Sequence, residues 1–321
     1  MSVPDSILVI KLSALGDMVL ALAAMQKIRA AHPGAHITLL TTPPYRKLMQ
    51  KCPWIDEVQT DGRPADIRAF VGLMARLRRA RYQRVYDLQA NDRTNLYFQA
   101  LRPLPPPWSG MAFGCALPHR NPARMSMHTL ERQAQQLEDA GIWPGAPTLP
   151  GEAPAPEVGW MIDAPVRAVQ APLALLVPGA SARRPLKRWP AARYGDLARE
   201  LLDQGFEVAV IGGESEKDLA AIIEARAPAS QDLTGRTDLA QIAALGARAS
   251  VAVGNDTGPL HLIAAAGAPT VALFSSQSDP DLCAPRGQVT VLRADLLETL
   301  DTQRVKAAAL ALAGSRPKVQ P

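Results

Sequence analysis

Short apolar runs alternate with helix-patterned segments along this chain, twice over, with a Pro-rich interruption between the two sets. In the first set, residues 6–12 (SILVIKL) form a β-rich apolar run, and Met18, Leu22, Met25 and Ile28 then recur at helical spacing over residues 17–31. Pro33-Gly34 stops that helix, and residues 36–40 (HITLL) read as a second strand. A helix is expected at 68–79, a strand at 84–88 (RVYDL) and a polar helix at 129–140; residues 102–126, rich in Pro, Gly and Arg, read as loop. Residues 144–172 are dense in Pro, Ala and Gly and read as a linker. The second set has strands at 173–177, 207–211, 250–253, 270–274 and 289–292 and helices at 191–204, 217–226, 239–247, 259–266 and 301–313. Strand–helix alternation of this kind builds a parallel sheet covered by helices on both faces. Two Rossmann-like halves are therefore expected, with ligands at the carboxyl ends of the strands.

A length of 321 residues suits two domains, and 47% hydrophobic content allows two cores. Lys and Arg number 35 against 30 Asp and Glu, a net charge of +5 without any run of five like charges. That balance fits a phosphorylated ligand or an anionic membrane surface and does not point to nucleic acid. Cys52, Cys115 and Cys283 are scattered and form no CxxC pair, which argues against a disulfide framework or a zinc site. The opening MSVPDSILVIKL lacks a signal-peptide pattern, and no apolar run reaches bilayer-spanning length. The expected location is the cytoplasm, with at most a peripheral membrane association.

Four strand-to-helix loops carry the candidate chemistry. KLSALGD (residues 11–17) leaves the first strand; Asp17 is placed either to cap the next helix or to act as a general base. Lys11 either runs its stem along the strand end towards water or holds an anionic acceptor. The loop is not GxGxxG, so a dinucleotide cofactor is not indicated. VPGASARRPLKRWP (177–190) offers Ser181 and four cations, Arg183, Arg184, Lys187 and Arg188, ahead of a helix whose start Pro190 favours. It reads as a solvated basic loop or as a pyrophosphate site. IGGESEKD (211–218) brings two glycines and Glu214 or Glu216, fit for ribose hydroxyls or for a helix start. VGNDTGPLHL (253–262) ends a strand with Asn255, Asp256, Thr257 and Gly258, whose N–H groups and hydroxyl are expected to face a diphosphate, with His261 one turn on. Asp279-Pro280-Asp281 has DxD lettering in an unsuitable loop.

These blocks, in this order, resemble glycosyltransferase family 9, the bacterial lipopolysaccharide heptosyltransferases, over nearly the whole chain. The resemblance rests on LVIKLSALGDMVLALAAMQKIRAAHPGAHITLL, PGASARRPLKRWP, IGGESEK and VGNDTGPLHLIAAAGAPTVALF. It implies a GT-B fold, α/β with two Rossmann-like domains whose parallel sheets face a central cleft. Residues 1–155 would bind acceptor and 156–321 the nucleotide sugar, with the final helix able to pack back on the first domain. It implies inverting transfer from ADP-heptose to the Kdo or heptose of the lipopolysaccharide inner core, without a metal or other cofactor. The alternatives are another nucleotide sugar or a GT-B-like epimerase. By position, Asp17 matches the family's catalytic base, Lys187 the lysine on the donor phosphates, and Asp256, Thr257, Gly258 and His261 the donor block. Ser181 matches a phosphate-loop hydroxyl, and Glu216, in preference to Glu214, the ribose-binding acid. Lys11 is assigned to acceptor, and Arg102, Arg120 and Arg124 are available for acceptor carboxylates or phosphates. The expected partners are the nucleotide sugar, the core acceptor and the inner-membrane surface, with no nucleic acid.

Overall fold

The computed structural model describes residues 5–166, 168, 171–181 and 184–314. Arg183 of the basic loop and the C-terminal residues 315–321 lie outside the described residues. The chain divides into two compact units, Met1–Pro156 and Glu157–Pro321, and the division falls inside the Pro-rich stretch.

The first unit runs β1 (Ser6–Ile10), α1 (Leu15–Ala31), β2 (His36–Leu40), α2 (Arg46–Met49), β3 (Glu57–Gln59), α3 (Ile67–Ala80) and β4 (Arg84–Asp87). It continues with α4 (Asp92–Ala100), β5 (Trp108–Gly110), β6 (Leu117–Pro118) and α5 (Thr129–Asp139). Its six strands lie in the order β3-β2-β1-β4-β5-β6, and every pairing is parallel. The four central residues of the β1 run are buried, as a strand covered on both faces requires. Residues 102–126 are not all loop: Trp108, fully buried, anchors β5, and β6 extends the sheet by two residues. β5 can start no earlier because Pro105–Pro107 stand directly before it and supply no N–H for a ladder, and β6 ends on Pro118. α3 buries one stripe, Leu73, Met74 and Leu77, and starts at Asp66, whose side chain accepts from Ala69 N at 2.8 Å.

The second unit runs β7 (Leu173–Val177), α6 (Ala191–Asp203), β8 (Glu207–Val210), α7 (Lys217–Arg226), β9 (Gln231–Asp232) and α8 (Leu239–Arg248). It ends with β10 (Ala249–Asn255), α9 (Gly258–Ala265), β11 (Thr270–Phe274), α10 (Pro280–Cys283), β12 (Val289–Arg293) and α11 (Thr302–Gly314). The strand order is β12-β11-β10-β7-β8-β9, again all parallel. Counted within its own unit, this is the order of the first sheet, the 3-2-1-4-5-6 arrangement of dinucleotide-binding folds. The closing helix α11 packs on its own unit's core. Its buried Val305 and Ala309 pack into the second unit's core with Leu197, Leu201 and Val253.

In such sheets the order reverses at one point, and the loops on either side of it part to leave a crevice. In the first unit that point lies between β1 and β4, and in the second between β7 and β10. KLSALGD follows β1, PGASARRPLKRWP follows β7, and Asp256-Thr257-Gly258 follows β10, so three of the four candidate loops stand at a reversal point.

Candidate active site

At the first reversal point a pocket of about 230 Å³ is lined by Lys11, Asp17, Gln89, Arg124, Arg132 and Gln133, among others. Asp17 lies in the first turn of α1 and its Oδ2 accepts from Ala14 N at 3.1 Å. The carboxylate thus caps its helix and also lines the pocket, so the two readings of Asp17 are compatible. Lys11 does not reach out to water. It is buried, and its Nζ donates to Leu88 O at 3.4 Å. Burial pushes the Lys11 ammonium pKa down, Asp17 and Asp87 oppose that shift, and Arg132 adds to it.

Of the three arginines reserved for acceptor, only Arg124 lines this pocket. It is buried, with Nε donating to His119 Nδ1 at 3.2 Å. Burial first, then the charge of Arg132, lowers its pKa to about 10. The same burial and the Arg124 charge bring His119 to about 4, so the ring is neutral where the guanidinium is charged. Arg132, on α5, carried no signal in the sequence beyond belonging to a polar helix. Gln133 beside it keeps Oε1 buried and without a hydrogen-bond partner among the described residues. A buried acceptor in a pocket wall is made good by ligand or water.

Gln89, too, lies outside the motifs that the sequence singles out. Its Oε1 accepts from Leu12 N at 2.9 Å and Ser13 N at 3.2 Å, which pins KLSALGD just before Asp17. Thr42 Oγ1 holds the same loop from the other side through Leu12 O at 2.8 Å. Gln89 is itself seated by Asp87, whose Oδ1 accepts from Gln89 N at 3.1 Å and Ala90 N at 2.8 Å. Ala90 sits at φ +44°, in the left-handed region, and that bend turns the chain over the pocket. Desolvation raises the Asp87 pKa to about 6 against those two hydrogen bonds. The signal was available: Gln89 stands two residues past β4, at the reversal point.

In the second unit the basic loop and the NDTG loop form one cluster. Lys187 Nζ meets Asp256 Oδ2 at 2.5 Å, and His261 Nε2 lies 3.5 Å from Asp256 Oδ1. Burial pushes the Asp256 carboxyl up, but His261 and Lys187 outweigh it through hydrogen bonds and charge and bring it to about 2. His261 Nδ1 is buried without a hydrogen-bond partner among the described residues. Thr257 is the N-cap of α9 in extended conformation, and its hydroxyl makes no capping bond. Not every N–H of NDTG faces outward as expected: Asp256 N donates to Leu273 O at 3.2 Å, because the strand runs on through Asn255.

Asn255 explains why this strand ends as it does. Fully buried, it accepts at Oδ1 from Trp189 N (3.0 Å) and Tyr194 Oη (3.2 Å). Its Nδ2 donates to Pro178 O (2.8 Å) and Gly179 O (3.3 Å). One amide thereby fastens both ends of the basic loop to β10. Within that loop Arg188 Nη2 donates back to Ala180 O at 2.8 Å, while Ser181 is exposed.

The two acidic candidates part company. Glu216 leans over Gly179 and Gly212, where an added Cβ would come within 3.0 Å of its side chain, and its Oε2 accepts from Gly213 N at 2.9 Å. Glu214 pairs with Lys217 at 2.6 Å and overhangs Gly235 instead. Glu216 is therefore the one at the end of β7. Asp279 is used to start α10, its Oδ1 accepting from Asp281 N at 3.1 Å. Among the described residues no group of three or more His, Cys, Asp or Glu is placed to hold a metal ion. Cys52 and Cys115 are buried and Cys283 is half-buried.

Comparison with known proteins adds to this geometry. The family model described as glycosyltransferase family 9 (heptosyltransferase) matches residues 112–309, more than half of the chain. The chain belongs to glycosyltransferase family 9. Lipopolysaccharide heptosyltransferase 2 of Escherichia coli K12 is 29% identical over 302 residues, covering 87% of this chain and 85% of that protein. The protein of the same name from Salmonella typhimurium is 29% identical over 301 residues, with the same coverage. The solved E. coli ADP-heptose lipopolysaccharide heptosyltransferase II superposes with a TM-score of 0.79 at 26% identity, covering 96% of this chain and 98% of that one. The E. coli heptosyltransferase WaaC with ADP shares the fold, with a TM-score of 0.76 at 18% identity over 96% of this chain and 99% of that one. This family 9 member is a GT-B glycosyltransferase, and three of its four candidate loops stand at the reversal points of the two sheets.

Proposed function

We propose that this family 9 enzyme transfers heptose, with inversion, from ADP-heptose to the inner core of lipopolysaccharide. The observation that carries the reading is the pocket at the first reversal point, where Asp17 shares a wall with Lys11, Arg124 and Arg132. A carboxylate among three cations suits an acceptor that is anionic and must also lose a proton. On this reading residues 1–156 bind the acceptor and the second unit binds the nucleotide sugar. The reading of heptose and of a lipopolysaccharide acceptor is supported by the names of the relatives, and that of ADP-heptose as donor by the name of the solved E. coli enzyme.

Asp17 accepts the proton of the acceptor hydroxyl as its oxygen bonds to the anomeric carbon of the sugar. The bond from that carbon to the diphosphate breaks on the opposite face, and ADP leaves with the electron pair. General-base help of this kind is worth about 10²–10⁴-fold. Charge growing on the diphosphate is met by the Lys187 ammonium and by the N-terminus of α9, where Thr257 and Gly258 stand. Asp256 holds Lys187 in place for that role, and Glu216 receives the ribose hydroxyls. Charge stabilisation by these groups leaves no step that calls for a divalent ion. We place the enzyme in the cytoplasm, working at the inner face of the inner membrane.

The test is turnover with a panel of ADP-, UDP- and GDP-sugars and a core oligosaccharide acceptor. ADP-heptose is expected to be consumed only when acceptor is present. Turnover with a different nucleotide sugar alone, or conversion of ADP-heptose without acceptor, overturns the reading.

A further inference from the structure

The positive charge of this chain is not spread evenly. Residues 67–126 contain ten Arg, no Lys and two Asp, a net of +8 in a molecule whose total is +5, so the other 261 residues sum to −3. Of the two acids, Asp87 is buried. The same 60 residues hold seven of the twelve large apolar side chains that stand exposed among the described residues. Apolar exposure and cationic charge are thus concentrated in one stretch of the first unit.

The fold ties the two most exposed of these, Leu104 and Phe113, to the segment that carries Leu96. Leu104 is 89% and Phe113 86% exposed, and Leu96, on α4, is 55% exposed. Gln99 Nε2, one turn beyond Leu96, donates to Phe113 O at 2.9 Å, which ties the turn after β5 to the end of α4. Arg78, in the last turn of α3, donates through Nη2 to Ala100 O at 2.5 Å and to Arg102 O at 3.2 Å. The Arg102 guanidinium lies against Gly114, next to Phe113, and 6.0 Å from the Phe98 ring. Leu104 stands between Pro103 and Pro105–Pro107, so the backbone around it is stiff and cannot fold the side chain inward at low cost. The result is three bare apolar tips set among arginines on fixed supports.

We infer that this surface, built on Leu96, Leu104 and Phe113 with Arg78 and Arg102, docks the enzyme on an anionic lipid bilayer. Arginine draws the surface to acidic headgroups, and the apolar tips enter the boundary between headgroups and acyl chains. Either signal alone gives weak, reversible binding, and the two together give stable attachment. A second copy of the chain is disfavoured, because an isologous contact would set Arg78 and Arg102 of one copy against the same arginines of the other. The inference deepens the proposed function, whose acceptor carries lipid, but its test does not depend on turnover.

The experiment is co-sedimentation of the full chain with vesicles of phosphatidylglycerol and phosphatidylcholine in equal parts, and with vesicles of phosphatidylcholine alone. Binding to the mixed vesicles is expected, with loss in high salt and little binding to the neutral ones. The double variant Leu104→Ser/Phe113→Ser is expected to bind the mixed vesicles at least tenfold more weakly. It should turn over a soluble core oligosaccharide at the wild-type rate, which also shows that it folds. Equal vesicle binding by variant and wild type, or none by wild type, overturns the inference. So does a double variant that has instead lost RNA binding or self-association. Vesicle binding without heptose transfer would sink the proposed function and leave this surface standing; transfer without vesicle binding would do the reverse.

Discussion

Asp256→Asn is the substitution whose cost follows most directly from the geometry. The side chain keeps its shape and loses its charge, while Lys187 at 2.5 Å and His261 at 3.5 Å stay where they are. Side-chain exposure of Lys187 and Asp256 is 11% and 9%, so water screens the pair little. The Asp256 pKa falls from 3.8 to about 2; at about 1.4 kcal/mol per unit, the charged form contributes about 2 kcal/mol. Removing one member of a buried pair strands the other, which costs about 3–5 kcal/mol in well-enclosed cases. Lys187 sits on a loop and can swing towards solvent, so a loss of about 2–3 kcal/mol at pH 7 is expected. The pH dependence has a definite sign. A carboxyl with a depressed native pKa stabilises fully above its unfolded value near 4 and stops doing so as pH falls through about 2. Urea unfolding of wild type and variant across that range isolates the effect, because the other carboxylates cancel in the difference. The gap between the two proteins should narrow as pH drops from 5 towards 2. A gap below about 1 kcal/mol at pH 7, or one that stays constant with pH, refutes the reasoning.

Gln89→Ala removes the acceptor for Leu12 N and Ser13 N and frees the loop that carries Asp17; kcat should fall about tenfold to a hundredfold with the donor KM unchanged. Gln89→Glu keeps an acceptor oxygen but adds a negative charge near Asp17, so it should recover most of kcat and move the acid limb of the pH–rate profile to higher pH. Steady-state kinetics against pH decide both, and an unmoved limb removes Gln89 from the positioning role. Arg132→Gln should raise the acceptor KM about tenfold and weaken its salt dependence, with the donor KM constant; an unchanged acceptor KM takes Arg132 out of the acceptor pocket.

What the sequence disclosed depended on how many residues shared a pattern. LALLV at β7 and TVALF at β11 are unbroken apolar runs, and their limits in the structure are those of the pattern. β3, β6 and β9, two or three residues long at or near sheet edges, are too brief to show any period. α4 leaves no mark in the sequence because DRTNLYFQA has no clear apolar stripe; Asn91 and Thr94 start it by capping each other. In the site, Asp17, Lys187 and Asp256 were legible because each follows a strand. That Lys187 grips Asp256, 69 residues away, was not, nor that Gln89 holds Leu12 from a distance of 77. Pairings of that kind exist only once the sheet order is known. Arg132 lies on a helix with neither motif nor turn to mark it, and only the pocket reveals it.

The central claim is that the Asp17 carboxylate removes the acceptor proton. Asn at position 17 can still accept from Ala14 N, so the helix start survives and the chain should fold as wild type. Single-turnover rates of Asp17→Asn with ADP-heptose and core acceptor, measured beside ADP affinity, test the claim directly. A rate lower by about 10²–10⁴-fold with ADP affinity intact is the predicted result. A rate near that of wild type would leave Asp17 as a helix cap alone.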